Sequence, residues 1–165
     1  MNKFITGPYP DYKMVNLENV SNIAFEDFVT RSGEQKYKII FNFNYGVSLK
    51  NDFGKQIADY VYFIYDSKDE YLDATVVLSE LINTKSWIAP LIENKVARIV
   101  NPKEISFLAQ DLRKNRIILN LATTVSFHGN VDRKTSDFLY FDFPTYDEYL
   151  ENLKYIQAQL GSLVL

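Results

Sequence analysis

The sequence predicts an α+β fold made twice. Two tandem β-β-β-β-α units, each an antiparallel meander closed by a C-terminal helix, are expected to lie about a pseudo-two-fold axis. Three observations predict this. Sliding the chain against itself by 78 positions gives 12 identities in 45 pairs, 38–82 against 116–160, where ordinary composition would give roughly three. The matched segments alternate apolar and polar residues, as half-buried strands do. Both copies then reach the same helix-start signal, Ser67-x-x-Glu70 and Thr145-x-x-Glu148.

The first element of each unit is the least distinct. Upstream of the strong match the offset becomes 82, with Lys13-Met14, Leu17, Asn19, Ile23 and Phe25 meeting Lys95-Val96, Ile99, Asn101, Ile105 and Phe107. Pro8 likewise meets Pro90. The change of offset is placed in the turn Arg31-Ser32-Gly33-Glu34, because loop entropy grows slowly with length and a surface turn absorbs extra residues. Asn101-Pro102-Lys103-Glu104 carries helix-start features. Its counterpart Asn19-Val20-Ser21-Asn22 carries none, and both precede Ile-x-Phe alternation, so a turn into a strand is expected.

The next strand is the clearest in the chain. Tyr37, Ile39, Phe41, Phe43, Tyr45, Val47 and Leu49 are all apolar, with Lys38, Asn42, Asn44 and Ser48 between them. The second unit repeats the pattern with Ile117, Leu119, Leu121, Val125 and Phe127 against Asn120, Thr124, Ser126 and His128. Two aromatic strands follow, Ile57–Tyr65 and Asp137–Phe143. The closing helices present Tyr71, Thr75, Leu78, Ile82 and Tyr149, Leu153, Ile156, Leu160, each a single-face spacing. The units are 3–82 and 85–160, with an apolar tail to Leu165. About 80 residues bury only a small core, so one compact pseudo-dimeric domain is expected.

Bulk properties narrow the function classes. Twelve Tyr and twelve Phe suit half-buried strands. A net charge of −3 gives no general attraction to nucleic acid or an anionic membrane. Absence of cysteine excludes disulfides and thiolate metal sites. No apolar run approaches the ~20 residues of a membrane helix, and Met1 to Pro10 lacks a signal-peptide pattern. The expectation is a soluble, cytoplasmic protein without membrane association. Its Asn-, Tyr- and Lys-rich usage suggests a low-GC bacterial or phage source.

No catalytic residue, metal site or cofactor is expected. His128 is the single histidine and is read as a surface turn residue beside Gly129-Asn130. Asp66, Asp69, Asp73, Asp142 and Asp147 gather near helix starts, where carboxylates favour the helix dipole. Acid-x-Lys triplets at Asp11, Glu34, Asp66, Glu93 and Asp132 are too frequent to discriminate a nuclease. No phosphate-binding glycine loop is present.

The candidate binding surface is the polar parity of the third and fourth strands. It carries Asn42, Asn44, Tyr60 and Tyr62, with Asn120, Thr124, Phe138 and Tyr140 in the second unit. Asn42, Tyr60, Tyr62, Asn120, Phe138 and Tyr140 are its core. Amides with tyrosines suit adaptable protein contacts and base stacking; the same surface could be a seam between units. The first unit holds 8 basic and 12 acidic residues, the second 10 and 9. The basic pairs Arg113-Lys114 and Arg133-Lys134 fall on successive turns, so no continuous phosphate track is expected.

In topology, tandem β-β-β-β-α units over the whole chain resemble the PUR-repeat and Whirly-type single-strand nucleic-acid binders. The resemblance implies single-stranded DNA or RNA as a ligand. It carries no sequence motif and transfers no residues, and the acidic first unit departs from those basic surfaces. The leading expectation is therefore a non-catalytic protein-binding module of accessory, inhibitor or immunity type, with a phage or mobile element as the suggested source. Single-stranded nucleic acid is the alternative ligand.

Overall fold

A computed structural model describes residues 4–8, 13–51, 54–85, 87–96, 98–125 and 136–161. His128 with its turn, Asp11, Ser126, Phe127, Asp132 and Arg133-Lys134 lie outside the described residues, as do the side chains of Asn44, Tyr45, Val47, Ser48, Leu49, Ile57, Ile82, Thr124, Val125 and Asp137. In chain order the strands of the first half are β1 (Phe4–Thr6), β2 (Met14–Asn16), β3 (Val20–Val29), β4 (Gln35–Asn51) and β5 (Gly54–Tyr65), followed by α1 (Lys68–Lys85). The second half adds β6 (Leu91–Ile92), β7 (Lys95–Val96), β8 (Arg98–Val100), β9 (Ile105–Asp111), β10 (Arg116–Val125) and β11 (Ser136–Asp142), then α2 (Tyr146–Leu160). The fold is α+β, and every described strand pairing is antiparallel.

Two larger sheets carry the structure, ordered β5-β4-β3-β8 and β11-β10-β9, with ribbons β1-β2 and β6-β7 beside them. Alternation along β4 sends Ile39, Phe41 and Phe43 into a first core with Ile23, Phe63, Tyr65 and Trp87. Helix α1 closes that core with Leu78 and packs Tyr71 and Ala74 against it. A second core holds Ile117, Leu119, Leu121, Leu139, Phe141 and Phe143 under Tyr149, Leu153 and Ile156 of α2. Both predicted caps form. The Ser67 hydroxyl accepts from the Glu70 N–H at 3.4 Å, and the Thr145 hydroxyl from the Glu148 N–H at 3.2 Å. Helix α2 stops at Gly161, whose φ of 62° is the left-handed conformation that glycine adopts without strain.

The third and fourth strands of each half pair in the same register. Ile39↔Phe63, Phe41↔Val61 and Asn42↔Tyr60 recur as Ile117↔Phe141, Leu119↔Leu139 and Asn120↔Phe138. The upstream correspondence is different from the expected one. Val20 pairs with Phe43 and Ile23 with Phe41, whereas Ile105 pairs with Leu121 and Leu108 with Leu119. Position 23 thus matches 108, an offset of 85 instead of 82. The counterpart of Asn101 becomes Asn16, and both cap a single 3-10 turn, accepting from the Lys103 and Glu18 N–H groups at 3.1 Å. A strand then follows in each case, as the turn reading expected. The hydrogen-bond ladder sets this correspondence; the scattered Asn, Ile and Phe coincidences at 82 were too sparse to do so.

The halves also do not keep their strands to themselves. β8, from the second half, completes the first sheet through Asn22↔Val100, Ile23↔Ile99 and Ala24↔Arg98. Neighbouring side chains on a strand point to opposite faces, so Ile99 enters the first core while Val100 enters the second. Ile88 pairs with Val100 on the other edge through bonds of 2.9 and 2.7 Å, adding a further residue to the second core. Burying two adjacent apolar side chains of one strand requires a core on each side of it, and the sheet partition follows from that. At the other end of the chain, a Cβ on Gly7 would stand 2.7 Å from the Phe63 ring, so only glycine lets this backbone lie on the core. No helix among the described residues is long and apolar enough to cross a membrane.

Candidate functional site

The six residues singled out from the sequence divide into two environments. Asn42 is only 3% exposed, and Ile40, Ala24 and Asn22 beside it are equally buried, so this end of the polar parity is covered. Strands β4 and β10 also approach each other. Asn120 and Tyr60 are half-buried. Tyr62, Phe138 and Tyr140 are exposed, at 39%, 40% and 51%.

The covered end holds a polar network. The Asn22 carbonyl oxygen accepts from the Arg98 guanidinium at 2.8 Å and from the Asn42 amide at 3.0 Å. The Asn22 amide donates to the Ser21 hydroxyl at 3.0 Å, and that hydroxyl donates to the Asn42 backbone carbonyl at 3.1 Å. Burial pulls the Arg98 pKa below its ordinary value, and Glu26 partly offsets this. The Asn42 side-chain oxygen is buried without a partner among the described residues. A buried unsatisfied acceptor of this kind is commonly met by an ordered water.

At the exposed end, each half presents a row of rings with a cation beside it. Tyr60 and Tyr62 stack at 6.3 Å and 24°, and Phe138 and Tyr140 lie at 6.3 Å and 34°. Lys38 stands 5.8 Å and Lys13 5.5 Å from the Tyr62 ring centre, and Arg116 stands 4.3 Å from that of Tyr140. The rows lie on β5 and β11, the outer strands of their sheets. Two of these cations also engage a carboxylate. Lys38 meets Glu26 at 2.9 Å, and Arg116 grips Asp142 with two bonds, one of them 2.7 Å. Lys38 and Arg116 are not among the candidate binding residues of the sequence, although both sit on the polar parity, 78 residues apart. Reading charge along that parity would have found them.

The Arg116–Asp142 pair carries a pH signature. Hydrogen bonding to Arg116 is the main effect that holds the Asp142 carboxyl below its ordinary value of 3.8; burial opposes it, and the charges of Arg116 and Lys114 add to the lowering. A depressed carboxylate contributes stability that is complete above its unfolded pKa and fades as pH falls through the folded one. The pair is screened by solvent, so its contribution to stability is small. Titration of the Asp142 carboxyl followed by NMR should give a midpoint below 3.8, and Arg116→Gln should return it to the ordinary value.

Neither row contains a nucleophile poised beside a base. Burial and the charge of Glu70 push the Tyr65 hydroxyl to about 12, so it stays protonated near neutrality. Among the described residues no group of three or more His, Asp or Glu side chains is placed to hold a metal ion. No protein-family model matches the chain, and no curated protein or solved structure is found that resembles it.

Proposed function

We propose that this chain is a non-catalytic protein-binding module that engages its partner through the two aromatic rows Tyr60/Tyr62 and Phe138/Tyr140. The observation that carries the reading is their joint geometry: the same ring spacing, at corresponding positions of outer strands, beside cations already engaged by carboxylates. Exposed tyrosines offer a large contact area with few rotatable bonds, which is why they anchor protein interfaces. Accessory, inhibitor and immunity-type proteins of the cytoplasm work by such contacts. The same geometry supports descent of 3–82 and 85–160 from one duplicated β-β-β-β-α unit, related by a pseudo-two-fold axis.

Single-stranded nucleic acid is the second reading. Stacked rings flanked by lysine or arginine favour it. Carboxylates at Glu26 and Asp142 weaken it, because they occupy Lys38 and Arg116, two of the cations a phosphate would use.

One experiment separates the two. The tagged full chain is used as bait in an extract of its own source cells, beside Tyr62→Ala/Tyr140→Ala and a control, Met14→Ala, that removes an exposed side chain elsewhere. Loss of an anchor is worth roughly 2 kcal/mol or more, about 30-fold in affinity. The expected result is a partner retained by the wild type and control and lost from the double variant. Equal retention by all three, or no specific partner, overturns the reading. Anisotropy with a labelled oligo-dT should show no binding. Binding that falls steeply between 50 and 200 mM salt and disappears in the double variant would establish the second reading.

A further inference from the structure

The opposite face of the first sheet carries a cleft of about 540 Å³ between β3, β4, β7 and the first half of α1. That is within the range of small-molecule sites, roughly 300–1,000 Å³. Its wall is aromatic. Tyr37 stacks on Tyr71 at 5.2 Å and 28°, and Phe25 meets Tyr71 edge-on at 6.5 Å.

The corresponding place in the second half is filled. Tyr149, 78 residues after Tyr71, is completely buried. Its hydroxyl donates to Gln110 at 2.5 Å, and Tyr146 stacks over its ring at 5.8 Å. In the first half the position of Tyr146 is taken by Lys68, and the ring of Tyr37 stands where the second half has Asn115. The cover is therefore replaced by a cation, and the floor gains a ring. Tyr71 is left half-exposed at the base of an open cleft.

Charge at the mouth selects the ligand. Lys68 and Lys95 line it, and neither is paired with a carboxylate among the described residues. Of the two acidic residues there, Glu26 is engaged by Lys38, which leaves Asp27. Two unneutralised ammonium groups against one carboxylate favour an anion. The Tyr71 hydroxyl, whose pKa burial raises, remains a hydrogen-bond donor near neutrality. We propose that this cleft binds a planar aromatic ring bearing a carboxylate, the ring lying against Tyr37 and Tyr71 and the carboxylate held by Lys68 and Lys95. The site is independent of the aromatic rows, which lie on the other face of the sheet.

The test titrates the ¹⁵N-labelled full chain with three probes sharing one ring: indole-3-acetate, indole and tryptamine. Indole-3-acetate should shift the amides of the first three turns of α1 and of β7, with about tenfold higher affinity than indole. Tryptamine should bind more weakly still. Lys68→Met/Lys95→Met should reduce indole-3-acetate to the level of indole. Thr75→Phe, which fills the cleft from a half-buried lining position without removing a core side chain, should abolish all three. Equal binding of the three probes, preference for tryptamine, shifts that survive Thr75→Phe, or no shift at millimolar indole-3-acetate would each overturn the assignment.

Discussion

Replacing Phe41 by alanine should cost about 3–5 kcal/mol of folding stability, the range for removing a fully buried phenylalanine. Phe41 is completely buried, lies 5.0 Å from the Phe63 ring, and sits on the central strand β4 among Ile23, Ile39 and Ile99. Urea unfolding followed by Trp87, the single tryptophan and itself in this core, measures the loss directly. Hydrogen exchange adds a sharper criterion. Amides of β10 and α2, which belong to the second core, should lose protection by a similar factor, because β8 contributes to both cores. Unchanged protection there would mean that the cores unfold separately.

The second large effect is an asymmetry within the polar network. Asn22→Ala should destabilise by about 3–5 kcal/mol, whereas Arg98→Met should be nearly neutral, within about 1 kcal/mol. Removing Asn22 deletes the shared acceptor of Arg98 and the Asn42 amide, leaving a buried cation and a buried donor without partners. Removing the charge itself has the opposite character, since methionine keeps the apolar stem and needs no acceptor. In the double variant, Asn22→Ala should cost several-fold less than it does alone, as thermal and urea unfolding of the four proteins would reveal. Additive effects would show that Arg98 is not what makes Asn22 indispensable.

Much of this fold was legible in the residues because it is local. Alternation over Tyr37–Leu49 and over Ile57–Tyr65 marks β4 and β5 and assigns Ile39, Phe41 and Phe63 to a core. Ser67 and Thr145 mark both helix starts through a contact only three residues long. What escaped depends on contacts between distant segments. Arg98-Ile99-Val100 is too short to state which sheet it joins, and nothing in its composition says that both of its faces are buried. The hairpin β6-β7 turns through Glu93 and Asn94 at φ of 49° and 61°, without the glycine that would have announced it. Asn42 has the same polar parity as Tyr62, yet one is covered and the other open. Which end of a strand meets a second sheet is decided by tertiary packing, and alternation is silent about it. Lys38 and Arg116 beside the aromatic rows do not stand out when charge is summed over whole units, because their placement shows only along one face of a strand.

β8 has a consequence for how the molecule can be divided. A polypeptide ending after α1 would lack the outermost member of its own sheet and expose the backbone of β3, an invitation to aggregate. The remainder, expressed by itself, would have an orphaned stretch at Arg98–Val100 seeking a strand to lie against. Neither piece is a portable cassette. Supplied together, however, the two fragments hold complementary edges and should reassemble, which makes the segment around Lys85 a natural place to split the chain for a reconstitution assay.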